Sequence, residues 1–414
     1  MLRAAPLRAI GLGGLAVLVL AMPAAAENWP CWRGPRLDGT SYELNLPVYW
    51  NAQSNVAWVA RLPGVGHASP IVWEDLIFIA AAIPETQERA LLCLDRAGGK
   101  VRWQKVVLSA ALEHKHSLNS YASSTPATDG SSVFISFLDR DQMYVAAYDF
   151  AGNKLWDVRP GPFASMHGFC SSPLVYHDKV ILNGDHDGNS YLVALSRSDG
   201  HTLWKTPREH HTRSYCAPLI AEMAGRPQMV LSGDKCVASY DPESGIQNWV
   251  IDGPTEQFVA SPVYSSACGL VFITGGFPDH HILAIRPNGS GNVSQTHIAW
   301  RTTQGAAYVP SPIIAGDYFL VISDSGVVHC FEAATGNLLW KQRLGEQHAS
   351  LVLADGLVYC LNDKGVMNIV KPGATFQRVA QNDIGEKCFA SPAMSHGQIF
   401  LRGENHLYCI ENIQ

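Results

Sequence analysis

The feature that most constrains this chain is a spacing that recurs from one end to the other. A Ser-Pro or close variant stands at Ser69-Pro70, Thr125-Pro126, Ser172-Pro173, Ala217-Pro218, Ser261-Pro262, Ser311-Pro312 and Ser391-Pro392, with Ser350-Leu351 filling the gap in the series. Each is followed by an apolar segment such as Val180-Ile181-Leu182, a polar turn, and a second β-rich run ending in an acidic or polar residue. A glycine comes next, and a tryptophan follows it in a fixed register. Asp95, Gly99 and Trp103 match Ser196, Gly200 and Trp204, then Asp241, Gly245 and Trp249, then Glu332, Gly336 and Trp340. Asp149, Gly152 and Trp156 repeat the pattern one residue shorter; Trp300 closes a longer version after Arg286, and Phe376 stands for the tryptophan in the weakest repeat. A turn glycine supplies positive φ between two strands, and a large aromatic on the last strand buries area against a neighbour.

A unit of roughly 40 to 50 residues with four short strands is one blade of a β-propeller. The Ser-Pro positions predict eight blades; seven, with a decayed repeat around residues 345–385, is the alternative. The last unit holds three strands and no tryptophan, while Asn55–Ala60, carrying Trp58, resembles a final strand without a blade. Joining the two removes the ring's free edges. The expectation is an all-β, eight-bladed propeller over residues 55–414 with four-stranded antiparallel blades, closed by an N-terminal strand and preceded by an extension over 27–54.

A chain of 414 residues with 47% hydrophobic, 9% aromatic and 16% charged residues is not disordered. A formal charge of -6 with scattered basic residues argues against nucleic acid as a partner. Residues 1–26 read as a signal peptide: Arg3 and Arg8, the apolar run Ile10 to Met22, then Ala24-Ala25-Ala26. That run falls short of the ~20 residues a membrane span needs, although an uncleaved anchor stays open. The mature chain is expected to be exported, periplasmic or extracellular, without a transmembrane span. Ten cysteines include no adjacent pair and no Cys-x-x-Cys, which leaves zinc-ribbon and thioredoxin-type chemistry without support. One or two disulfides stay open.

Aligning on the Ser-Pro positions puts His67, Ser123, Cys170, Tyr215, Val259, Val309, His348 and Phe389 on first strands lining the channel. Slightly earlier, Asn119, Tyr121, His167, Arg213, Gln257, Glu346 and Lys387 ring its mouth. Asn119, Tyr121, His167 and Arg213, with Tyr215 below, form the densest polar set and the candidate ligand site, on the side of blades two to four. The Asp185–Asn189 turn is either a tight hairpin or a place where Asp185 and Asp187 hold a metal such as calcium. The pairs His114/His116, His210/His211 and His280/His281 carry the same two readings for a transition metal. Arg208 and Arg213 either bind an anion or bridge blades. Nucleophile-elbow, phosphate-loop and dinucleotide motifs are absent.

The Gly-x-x-x-Trp repeats resemble those of pyrroloquinoline-quinone-type (PQQ-like) propellers across essentially the whole mature chain. Trp29-Pro30-Cys31-Trp32-Arg33-Gly34-Pro35, with Asp38-Gly39, Ser165–Gly168 and Gly184–Gly188, is similar to exported PQQ-like repeat proteins abundant in planctomycete-type bacteria. The resemblance implies two functional branches. Quinoprotein dehydrogenases oxidise alcohols or sugars with PQQ and calcium; the vicinal cysteines of many alcohol-type members are missing here. The other branch is the propeller lipoprotein of the outer-membrane barrel-assembly machinery, a scaffold similar in size and blade count, whose lipid-attachment cysteine is also missing. The expectation is a non-catalytic, monomeric binding or scaffold propeller for an envelope protein or polymer, without a cofactor. A PQQ-dependent oxidoreductase is the alternative.

Overall fold

The computed structural model describes residue 1, residues 26–51 and residues 54–413. The signal-peptide reading falls almost wholly outside them. Proline lacks an N–H and holds its predecessor extended, so each Ser-Pro delivers the chain into a strand. The first strands follow directly: Ile71–Trp73, Ala127–Thr128, Leu174–Tyr176, Leu219–Met223, Val263–Ser265, Ile313–Ala315, Val352–Ala354 and Ala393–Ser395. Each opens an antiparallel sheet, and there are eight such sheets among the described residues. Blade seven is complete, with Val352–Ala354, Leu357–Leu361, Val366–Lys371 and Gln377–Asp383, which rules out seven blades. Blade eight takes Val56–Arg61 as its fourth strand, with Val59 opposite Tyr408 on His406–Ile410. The longer loop of blade five places Gly291–Asn292 parallel to Gln247–Asp252, a fifth strand on blade four.

The Ser-Pro repeat has a physical purpose that spacing alone does not disclose. The Ser69 N–H donates to Thr125 Oγ1 at 3.0 Å and the Thr125 N–H to Ser172 Oγ at 2.9 Å. Ser261 donates to Ser311 at 3.0 Å, Ser311 to Ser350 at 3.0 Å, Ser350 to Ser391 at 2.8 Å, and Ser391 back to Ser69 at 3.0 Å. Each blade thus hands its buried N–H to the hydroxyl of the next, and the belt runs through the closure between blades eight and one. It is interrupted where Ala217 has no hydroxyl. Leu351, standing where other blades have proline, has an N–H and donates it to Ser311 O.

Farther out, the tryptophans join neighbouring blades. Trp58, Trp103, Trp156 and Trp300 donate their indole N–H at 2.9–3.0 Å to the carbonyls of Arg96, Phe150, Arg197 and Ala333, each just after the polar residue of the next blade's turn. The ring covers that turn's glycine. At Gly99, with φ of +68°, a Cβ would lie 2.5 Å from Trp58, so a side chain there would expel the ring. Burying each ring contributes roughly 2 kcal/mol. In blade seven the register corrects the expectation for Phe376: Ala380 faces Ile369 where other blades carry tryptophan. Phe376 packs edge-on against Trp340 of blade six instead. The aromatic bulk comes from the extension. Trp50 donates its N–H to Asn382 Oδ1 at 3.0 Å and is buried in the same core as Ala380.

Residues 27–51 are therefore part of the packing. Trp29 forms a bridge with Val72 of blade one, Pro30 O accepts from the Thr128 N–H of blade two, and Trp32 Nε1 donates to Ser261 Oγ of blade five at 3.1 Å. Arg33, buried, donates to Leu351 O at 2.8 Å and Pro312 O at 2.5 Å. This segment crosses the ring and closes one end of the channel.

Two outcomes follow from these joints. Ser311→Ala strands the Ser261 N–H in the interior and costs about 1–3 kcal/mol, read as a lower urea midpoint. Deleting residues 55–62 removes the strand opposite His406–Ile410 together with Trp58; cooperative unfolding is expected to be lost, and a truncated chain that unfolds like the intact one contradicts closure between the termini.

Candidate functional site

The belt fixes where each chain segment turns toward the axis, and three residues upstream the side chains converge. A cavity of about 730 Å³ lies on the axis, lined by His67, Ser123, Cys170, Tyr215, Val259, Val309, His348 and Phe389, all eight of the aligned residues. They lie on the segments that enter the first strands, not on the strands themselves, because pairing starts only after the proline. Trp32, Ser172, Ser350 and Ser391 also line it, so the plug and the belt form its floor. Turns between second and third strands supply Phe277 and His280 from blade five and Ser323, Asp324 and Ser325 from blade six. In its lining, Leu118 is 50% exposed and Phe277 51%.

The candidate set divides. Asn119, His167 and Tyr215 line the cavity; Tyr121 lines a separate pocket of about 270 Å³ between blades one, two and eight, which shares His67, Asn119 and Phe389 with it. Asn119 Nδ2 donates to His167 O at 2.8 Å, the His167 N–H donates to Ser165 Oγ at 3.2 Å, and Ser165 is hydrogen-bonded to the Tyr215 hydroxyl. Arg213 Nη1 pairs with Asp187 Oδ1 at 2.6 Å. The Gln257 amide, with its oxygen toward Arg213, accepts from Nε at 2.9 Å and from Nη2 at 2.6 Å, and its nitrogen reaches Tyr308 Oη at 2.8 Å. Arg213 thus ties blade three to blades four and five. Asp185 is fully buried and paired with Arg208 Nε at 2.9 Å, and its carboxyl is pushed up to about 6 by burial against the pull of that guanidinium. The two carboxylates of the turn face different cations, and no group of three or more His, Cys, Asp or Glu converges as a metal site among the described residues. The ten cysteines are free.

The cavity wall is neutral around its deepest histidine. Burial, reinforced by the positive charges of Arg402 and Lys115, pushes the His67 imidazole down to about 4, and it stacks on Phe389 at 4.6 Å. Burial also lowers His348, but the Asp363 carboxylate 2.7 Å from its Nδ1 outweighs that and holds it above the ordinary range. The Cys170 thiol is raised to about 12 by burial, which suppresses the thiolate needed for attack. Ser123 donates to Asn119 Oδ1 at 2.6 Å rather than to a base. The arrangement offers binding surface, with neither of these side chains activated as a nucleophile. Asp324, Phe277 and Trp32 escaped sequence reasoning because turns and the N-terminal plug bring them in, and Tyr308 because it stands one residue off the aligned column, before Val309.

The family model described as outer membrane protein assembly factor BamB matches residues 47–227 and 141–369. The chain belongs to this PQQ-like propeller family. Three solved structures share the fold of this BamB-type propeller. BamB from Moraxella catarrhalis is 13% identical, with a TM-score of 0.60 over 85% of this chain and 98% of that one. Quinohemoprotein alcohol dehydrogenase from Comamonas testosteroni is 10% identical, with a TM-score of 0.66 over 94% and 81%. A europium-containing methanol dehydrogenase is 12% identical, with a TM-score of 0.55 over 91% and 89%. No curated protein matches the sequence at a significant level.

Calcium takes six to eight oxygen ligands, and three carboxylates around this BamB-type mouth are already engaged. Asp187 is held by Arg213, Asp363 by His348, and Asp324 by the N–H groups of Tyr308 and Val309 at 2.7 and 3.0 Å. A calcium ion would have to displace these contacts to use the three carboxylates.

His67 gives the site a pH signature. An unfolded imidazole titrates near ~6.5, whereas His67 in the fold stays neutral to about 4. The unfolded chain therefore takes up this proton first as the pH falls; the stability is present above ~6.5 and is lost on descent toward the folded value. The loss between pH 7 and 5 amounts to about 2 kcal/mol. Urea midpoints are expected to fall less over that range in His67→Gln than in the wild type.

Proposed function

We propose that the protein is an exported, non-catalytic binding propeller that holds an apolar segment of an envelope protein or polymer in the mouth of its channel. The observation that carries this reading is the rim: Leu118 and Phe277, each about half exposed, line a concave cavity of about 730 Å³. Exposed apolar groups grouped around a concavity mark interaction sites. The ring that bears them is closed and rigid, so a partner meets the surface already formed. Family membership and the fold shared with BamB support a scaffold. Export rests on the N-terminal sequence, and no helix among the described residues is long and apolar enough to cross a membrane.

A PQQ-dependent oxidoreductase shares the same fold, and one experiment separates the two. The mature protein is used to select extended peptides from a displayed library, and is separately titrated with PQQ and calcium while dye-linked alcohol or glucose oxidation is followed. Selected peptides carrying aromatic or aliphatic anchors are expected to bind roughly tenfold or more weakly to a Phe277→Ser, His167→Ala double variant whose thermal unfolding stays within a few degrees. Saturable quinone binding with turnover would overturn the scaffold reading.

A further inference from the structure

The side pocket next to the mouth contains a charge that the protein does not neutralise. Arg402, at the end of the blade-eight strand Gln398–Arg402, is 1% exposed. Its Nη1 donates to Ala68 O at 2.7 Å, but Nε and Nη2 have no hydrogen-bond partner. Each of the other buried arginines leaves at most its Nε without a partner. Arg208 has Asp185, Arg89 has Glu113, and Arg33 donates to the carbonyls of Leu351, Pro312 and Asp38. Glu404, the one carboxylate in the lining of the Arg402 pocket, is exposed and makes no ion pair with it. Glu386, beside Gly403 in space, is engaged by Tyr408 Oη at 2.7 Å and His406 Nδ1 at 3.1 Å. With no anion to offset burial, the guanidinium is pushed down to about 9.

A buried ion without a partner costs several kcal/mol, and proteins pair such groups or use them. The surroundings here are those of a receptor. The pocket of about 270 Å³ is also lined by Lys115, Ser120, Asn119 and Tyr121, and the Lys115 ammonium lies 5.1 Å from the Tyr121 ring centroid. Gly66 leaves room for the fork, since a Cβ there would lie 2.6 Å from Nη2. Nε–H and Nη2–H lie on one edge of the planar guanidinium, the edge that meets both oxygens of a carboxylate in parallel hydrogen bonds.

We propose that this pocket is a binding site for a carboxylate group, held by the Nε/Nη2 edge of Arg402 with Lys115 as the second positive charge. The site stands on its own geometry and does not depend on what occupies the mouth. A free small acid and the C-terminus or acidic side chain of a peptide present the same group, and the pocket's shared wall with the mouth places either within reach of both cavities.

The test is calorimetric titration of the mature protein with acetate, with succinate, with inorganic phosphate, and with one short peptide in free-acid and C-terminally amidated forms, alongside thermal unfolding. Saturable binding of one carboxylate per chain, with a raised Tm, is expected. The free-acid peptide binding where its amide does not assigns the group to a chain terminus; binding of the small acids alone assigns it to a free metabolite-sized acid. Arg402→Met is expected to abolish saturation and to raise the Tm of the unliganded protein, because an unpaired buried charge is gone. Lys115→Ala, only half-buried, keeps the fold and lowers affinity roughly tenfold, the scale of a charge-assisted hydrogen bond. No saturable carboxylate binding, preference for phosphate over every carboxylate, or equal binding by wild type and Lys115→Ala with Arg402→Met folded and unaffected would overturn the assignment.

Discussion

The structure depends on one hydrogen bond made again and again: a backbone N–H just ahead of a proline, given to the hydroxyl of the corresponding residue one blade on. Propeller blades pack face to face through apolar side chains, which fixes their spacing but leaves them free to slide along one another. A buried N–H that has only one acceptor within reach removes that freedom. The belt sets the height at which every chain segment leaves the axis, and the side chains three residues earlier meet in one cavity as a result. Where the belt breaks, at Ala217, the hydroxyl of the next blade's Ser261 accepts from the Trp32 indole instead. The plug is therefore seated where the belt is incomplete, and the cavity has a floor because of it.

Much of this architecture was legible because the repeat encodes joints between blades. Gly99 is a glycine because Trp58 covers it, and the polar residue before it precedes the carbonyl to which the indole donates. Blade count and closure by Val56–Arg61 follow from such positions. Blade seven misled at Phe376 because its aromatic is supplied from outside the repeat, by Trp50, and a substitution made from far along the chain leaves no local signal. The candidate site was legible in its aligned columns and not beyond them. His167, Asn119 and Tyr215 meet in the cavity, while Arg213 is taken up in bridging blades, a use that charge and position alone do not distinguish from ligand binding. Arg402 had a signal that spacing ignores: a guanidinium ending the apolar run Ile399-Phe400-Leu401, with no acidic residue in the strand to meet it.

The mouth and the side pocket share His67, Asn119 and Phe389 and differ in character. One is wide, rimmed with exposed apolar groups and floored by an indole; the other is small and positive. Together, on the two proposals above, they suit a ligand with an apolar body and an anionic end, in a fold that an alcohol dehydrogenase also has. What separates the two uses is the chemistry at the axis. Here Asp187, Asp324 and Asp363 are engaged, Cys170 is held as a thiol and His67 is kept neutral, which supports the binding reading proposed above.

The most direct measurement of the central claim is amide hydrogen exchange resolved at the belt positions. If the belt holds the ring, the N–H groups of Ser69, Thr125, Ser261, Ser311, Ser350 and Ser391 exchange only through global unfolding, as slowly as the middle strands, and Ser391 is no faster than the rest although its bond to Ser69 joins the last blade to the first. Fast exchange at Ser391 under conditions where Ser261 and Ser311 stay protected would contradict the account, because it would mean that the ring opens at its closure.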